Sequence, residues 1–171
     1  MTLDDTDVHA RLSQRNRFAP PAGFRFRVLG TLDAEGPEGP IALGGPKQRI
    51  VLALLLMRAN EVVTPESLID DVWGDEPPDA ARNTLQSYVS RLRGAFGADR
   101  VSTRSGGYRM RIERDELDAT RFEDLVRDAR EADGHPDRVS SILRDALALW
   151  RGPAFADLAT EPALAGEIAR L

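Results

Sequence analysis

The chain has 171 residues, 42% of them hydrophobic and 30% charged, with a formal net charge of −5. That length suits one ordinary domain or two small ones, and the apolar share is enough for a packed core. Cysteine is absent, which excludes disulfides and thiolate metal sites and fits a reducing cytosol. With only His9 and His135, a histidine metal centre or catalytic triad is poorly supplied, so no metal or other cofactor is expected. The longest wholly apolar run, Ile50 to Met57, is far short of the roughly 20 residues a membrane helix needs. The N-terminus carries Asp4, Asp5 and Asp7 and no apolar core, so it is not a signal peptide, and a cytoplasmic location is expected.

The charge is unevenly placed. From Arg82 to Arg114 there are eight arginines against Asp99 and Glu113; from Asp115 onward, seven arginines face thirteen acids. A stretch of +6 thus precedes one of −6, either as two solvated faces or as a polyanion-binding surface joined to a module that does not bind nucleic acid.

Residues 1–22 are polar, end in Pro20-Pro21, and read as a flexible arm. Phe24 to Leu29 alternates as a half-buried strand does, and Ile41-Ala42-Leu43 reads as a second short strand after the Gly36–Pro40 punctuation. Pro46 suits the first turn of a helix running to about Ala59, with Asn60 as a left-handed stop; its broad apolar run marks a central core helix. Thr64 and Pro65 open a second helix with a buried stripe of Leu68, Ile69, Val72 and Trp73, ended by Gly74. Pro77-Pro78 forces a loop, and Asp79 is placed to cap a third helix, about Ala80 to Phe96.

At 100° per residue, Ala81, Leu85, Tyr88, Val89, Leu92 and Phe96 of the third helix share one arc. The opposite arc holds Asn83, Gln86, Ser87, Ser90, Arg93 and Gly94, with Arg82 and Arg91 at its margins. Surface helices usually mix both charge signs, whereas amides, hydroxyls and guanidiniums without a carboxylate are what base edges and phosphates require. An ordinary solvated helix is the competing reading. Next, Val101–Thr103 and Tyr108–Ile112 flank Arg104-Ser105-Gly106-Gly107 as a β-hairpin, with Tyr108, Met110 and Ile112 on one face and Arg109 and Arg111 on the other. After a polar helix such a hairpin reads as a wing whose Arg104 can reach phosphates or a minor groove. From Asp118 the pattern is helical: Phe122, Leu125, Val126 and Ala129 form one stripe, Leu143, Ala146, Leu147 and Trp150 a second, and Leu164, Ile168 and Leu171 begin a third. Stripes of this kind need neighbours or a partner to bury them.

In order and spacing the chain resembles the SARP (Streptomyces antibiotic regulatory protein) family. The resemblance is carried by Phe26–Gly30, by Leu43–Arg49 leading into Leu52–Leu56, by Val72–Pro78, by Asn83–Arg93 and by Gly106–Tyr108, and downstream by Phe122–Leu125 and Ala146–Pro153. It implies an α+β chain: a 1–22 arm, an OmpR/PhoB-type winged helix-turn-helix over 23–113 with a small N-terminal antiparallel sheet and a C-terminal wing, then an all-α, TPR-like bacterial transcriptional activator domain over 114–171, expected to be incomplete. It further implies a cytoplasmic activator, not an enzyme, that binds tandem direct repeats in double-stranded DNA and recruits RNA polymerase through its sigma or alpha subunit, at a secondary-metabolite gene cluster.

Carried to matching positions, Asn83, Gln86, Ser87, Ser90 and Arg91 are the base-reading candidates. Lys47, Gln48, Arg49, Arg82, Thr84 and Arg93 are the phosphate candidates, and Arg104, Ser105 and Gly106 form the wing tip. Asp75, Glu76 and Asp79 lie in the loop that resembles the family's polymerase-contacting turn. Tyr88 suits either core or phosphate, with core favoured; Trp73 suits the core. A homodimer and tandem monomers on DNA are both compatible with the sequence. Gly44-Gly45-Pro46-Lys47 lacks the phosphate-loop spacing, and Asp70-Asp71 point to different helix faces, so an enzyme is disfavoured. The remaining competitor is a winged-helix adaptor that binds protein and has little DNA specificity.

Overall fold

The computed structural model describes residues 23–171 except position 133; the expected 1–22 arm lies outside the described residues. Arg25–Arg27 (β1), Asp33–Gly36 (β2) and Gly39–Pro40 (β3) form an antiparallel sheet in the order β1-β2-β3, with Phe26 opposite Ala34 and Glu35 opposite Pro40. The second strand expected at 41–43 is therefore displaced. The chain has already turned at Pro37-Glu38, Ile41 adds one hydrogen bond to the Ala34 carbonyl, and Leu43 then enters the core as coil.

Helix α1, Pro46–Met57, is buried from Ile50 through Leu56 without a solvent face in that run, because the sheet, the helices and the wing surround it. Asn60 takes the left-handed conformation (φ 69°) expected of the stop. Its side-chain amide exchanges hydrogen bonds with the backbone of Ile112 (2.9 and 3.1 Å), tying this turn to the end of the wing. Thr64 caps α2, Pro65–Trp73, by accepting from the Ser67 N–H, and Gly74 follows at φ 62°. Helix α3, Ala81–Phe96, starts from Ala80 with no side-chain cap, so the expected Asp79 cap does not form.

Val101–Arg104 (β4) and Gly107–Met110 (β5) make the expected hairpin, Thr103 opposite Tyr108, with Arg104 and Gly107 paired as its last rung. The hairpin is pinned to residue 63 by two 2.8 Å backbone hydrogen bonds between Val63 and Tyr108. A Cβ on Gly107 would stand 2.6 Å from the Val63 carbonyl oxygen, so this approach requires glycine.

The C-terminal half, from Asp118 on, divides physically into two parts. Asp118–Glu131 (α4) and Pro136–Leu147 (α5) form a helical hairpin with a small core of Ala129, Ala132 and Ile142. The α5 stripe is turned one position from expectation: Ile142 and Ala146 are buried, whereas Leu143 and Leu147 are exposed, Leu147 at 66%. Helix α4 covers only the 142–146 side, and Trp150 leaves the helix to meet Phe122 edge-on. The chain then turns back. Ala154, Phe155, Leu158 and Leu164 join the same continuous core as Phe26, Leu29 and the α1 leucines, and a short helix α6, Ala165–Arg170, follows.

Candidate nucleic-acid interface

Helix α3 contains no acidic residue along its 16 positions. Ala81, Leu85, Val89, Leu92 and Phe96 anchor it at the i, i+4, i+8, i+11, i+15 spacing of one buried face. Trp73 at the end of α2 and Tyr88 are both half-buried and stack with ring centroids 6.4 Å apart, a direct contact between the two helices. The opposite face exposes Arg82, Asn83, Gln86, Ser87, Ser90 and Arg91 side by side, while Thr84 is half-buried at its edge. Ser87 donates its hydroxyl to the Asn83 carbonyl (3.0 Å), the usual parking position of a serine inside a helix. Among the described residues, the side chains of Arg91, Asn83, Gln86 and Ser90 make no hydrogen bond or ion pair.

Arg82 is paired with Glu66 across the surface. Glu66 is held below the usual carboxylate range, first by its own backbone N–H at the start of α2 and then by the Arg82 guanidinium. Both partners are well exposed, so the pair is solvent-screened and weak. Arg93 points elsewhere: its Nε donates to the Val101 carbonyl (2.8 Å) and its Nη2 to the Thr103 hydroxyl (3.2 Å). It fastens the wing to α3. At the wing tip Ser105 (φ 45°) and Gly106 (φ 81°) make the turn, and Arg104, exposed beside them, is unpaired among the described residues.

The other expected phosphate contacts divide. Lys47 is half-buried and its Nζ donates to the Val72 carbonyl (2.6 Å) at the end of α2. Gln48 is 5% exposed and its amide donates to the Leu43 carbonyl (3.0 Å), closing the turn ahead of α1. Arg49 donates to the Asp157 carboxylate (Nε, 2.9 Å) and to the Leu32 carbonyl. In the first turn of α1 Gln48 is buried and Lys47 and Arg49 are half-buried, so these side chains satisfy nearby carbonyls and carboxylates. Gln48 and Arg49 are therefore corrected from phosphate contacts to structural ties. The basic stretch is also partly neutralised from within, since Arg100 forms a bidentate pair with Glu116, Arg111 meets Glu113, and Arg114 meets Asp124. That leaves Arg91 and Arg104 as exposed, unpaired cations on the α3 and wing surface, with Arg109 half-buried in β5 and also unpaired among the described residues.

Residues 74–80 are all exposed, and Asp75, Glu76 and Asp79 form no ion pair among the described residues. No group of three or more His, Cys, Asp or Glu side chains among the described residues is arranged to hold a metal. No helix of the described residues is long and apolar enough to cross a membrane.

Sequence reasoning missed the clamp between the two halves. Asp118, 5% exposed, accepts the backbone N–H of Val28 (2.8 Å) and Leu29 (3.1 Å), with Arg151 3.9 Å away. Burial pushes its carboxyl above the usual range, against the opposing pull of those two N–H groups and Arg151. Three further backbone bonds join Arg151, Phe155 and Ala156 to Leu29, Val28 and Gly30, and the Asp157 carboxylate takes the Leu32 N–H (2.7 Å). Nothing in residue type or spacing pairs Asp118 with residues 90 positions earlier; only the Arg151-Gly152-Pro153 segment, noted for its resemblance, lay near the answer.

Known proteins share this layout. The family described as "Transcriptional regulatory protein, C terminal" matches residues 39–110, and the "Bacterial transcriptional activator domain" matches residues 117–171. The regulatory protein AfsR of Streptomyces griseus is 36% identical over 90% of this chain and 16% of its own length. The regulatory protein DnrI of Streptomyces peucetius is 33% identical over 86% of this chain and 59% of its own. A solved structure of Mycobacterium tuberculosis EmbR, in complex with a low-affinity phosphopeptide, superposes with a TM-score of 0.81 at 32% identity, covering 86% of this chain and 41% of that one. The chain thus spans from about one sixth to under two thirds of these relatives' lengths.

Proposed function

We propose that the chain is a transcription regulator of the SARP family, whose winged-helix and activator domains it matches in that order, and that it is a cytoplasmic, non-catalytic activator that reads tandem direct repeats upstream of promoters. Helix α3 lies in the major groove with Asn83, Gln86, Ser87, Ser90 and Arg91 toward base edges. Arg82, Thr84, Lys47 and the wing residues Arg104, Ser105 and Gly106 face phosphates, and Arg93 holds the wing in place. The exposed acidic loop of Asp75, Glu76 and Asp79 meets RNA polymerase through sigma or alpha. The regulated genes form a secondary-metabolite cluster. One observation carries the reading: a rigidly anchored helix whose whole exposed face is amide, hydroxyl and guanidinium, with no carboxylate. Selection from a randomised DNA pool at fixed salt tests it. The expected outcome is a short motif repeated in direct orientation at about one helical turn. A selected pool identical to the input overturns the reading in favour of a protein-binding adaptor.

A further inference from the structure

A groove of about 900 Å³ runs along the hairpin of α4 and α5, on the side away from exposed Leu143 and Leu147. Its floor is apolar, from Leu125, Ile142 and Leu149. Its rim carries Asp115, Asp128, Glu131 and Asp145, together with Asp124, against Arg114, Arg121 and Arg138. Arg114 is already spent on Asp124, so the rim presents a surplus of carboxylates above an apolar strip. A negative rim around an apolar floor fits a segment that is basic and apolar by turns.

The chain contains one such segment beyond the described residues. Residues 8–18 hold Arg11, Arg15 and Arg17, no acid, and the apolar Val8, Leu12 and Phe18. The described chain begins beside the groove: a Cβ on Gly23 would lie 3.1 Å from the Glu116 carboxylate, and the adjacent Asp115 is on the rim. A smaller cavity lined by β1 shares Asp115, Arg121 and Leu149 with it. The five residues from Gly23 back to Phe18 span up to about 17 Å, and the twelve back to Arg11 about 40 Å. Helix α5, with 12 residues, is about 18 Å long. Reach, entry point and charge all agree.

We propose that this groove is a docking site for the chain's own N-terminal segment, residues 8–18, with Arg11, Arg15 and Arg17 against the acidic rim and Val8, Leu12 and Phe18 over the floor. The inference does not depend on DNA binding, and its test contains no DNA in the primary arm. Because the chain has no cysteine, Ser13→Cys accepts a single spin label in the full chain, and paramagnetic broadening of the groove methyls reports contact. The expected result is strong broadening at Leu125, Ile142 and Leu149. It is lost in Asp128→Lys/Asp145→Lys, whose surface positions leave the core intact, and regained when Arg11, Arg15 and Arg17 are also made Glu. Broadening no greater than at Leu143 and Leu147 on the opposite face overturns the proposal. So does broadening that rises with protein concentration, which assigns the groove to a second copy, or that appears at α3 only with DNA, which assigns the segment to nucleic acid.

Discussion

Replacing Asp118 with alanine tests whether the two halves of the chain are one folding unit. The carboxylate accepts the N–H groups of Val28 and Leu29, both 0% exposed. Its removal leaves two buried donors without a partner, at roughly 1–3 kcal/mol each. Relief of the buried charge returns part of this, since burial already opposes ionisation at this site. Water entering the vacated space returns a little more. The net expectation is a loss of about 2–4 kcal/mol, a large fraction of the roughly 5–15 kcal/mol that holds a domain of this size. Urea unfolding of the full chain measures it as a lower midpoint at unchanged slope, with the winged helix and the activator half melting together. A loss below about 0.5 kcal/mol refutes the reasoning, as does a separate early transition confined to the activator half.

The same carboxylate sets a pH signature. Its folded pKa is raised by burial, so the stability it contributes is complete below its ordinary value of 3.8 and is lost as pH rises through the raised folded value. Asp124 is the opposite case: Arg114 lowers its pKa, so its contribution is present above 3.8 and lost as pH falls through the lowered value. Relative to wild type, Asp118→Asn therefore falls further behind on acidification from neutral, while Asp124→Asn catches up; paired urea titrations across pH check both directions. Arg104→Ala is expected to lower the salt slope of DNA binding by about 1, whereas Arg49→Ala leaves the slope unchanged and lowers stability, read from affinity against salt and from urea midpoints. Arg91→Ala is expected to cost about 1–3 kcal/mol of binding to the selected site and to relax preference at one base pair, read by competition among single-base variants. Gly94 sits in the exposed face of α3 with open space where a Cβ would stand and no positive φ, so Gly94→Ala raises stability by about 0.5–1 kcal/mol in thermal unfolding.

What was legible in the sequence was governed by local rules. The Thr64 cap, the left-handed Asn60, the wing hairpin and the buried face of α3 each follow from a few adjacent residues and one periodicity. The exposed face of α3 followed from the same periodicity, which is why every base-reading candidate lies on the surface. Reading failed where a side chain's surroundings come from far along the chain. Gln48 and Arg49 look like solvated polar residues at a helix start, but the Leu43 carbonyl and Asp157 claim them. Leu143 and Leu147 fit a helical stripe as well as Ile142 and Ala146 do; only the position of α4 decides which pair is buried.

The consequence reaches beyond those residues. A boundary drawn at 113/114 by the change from hairpin to helices is a change of element type and not of core, since Leu117, Phe155, Leu158 and Leu164 are packed with Phe26 and the α1 leucines. Arg49 leaves from the same helix whose buried face supports α3, and its partner Asp157 lies in the returning segment. The contacts that orient α3 and the contacts that hold the C-terminal half are therefore parts of one packed body. The α4–α5 hairpin is the part with a separate small core. Its distal part, beyond Asp118, Ala119 and Phe122, is thus the portion of the C-terminal half able to change its neighbours without first breaking the core that supports α3.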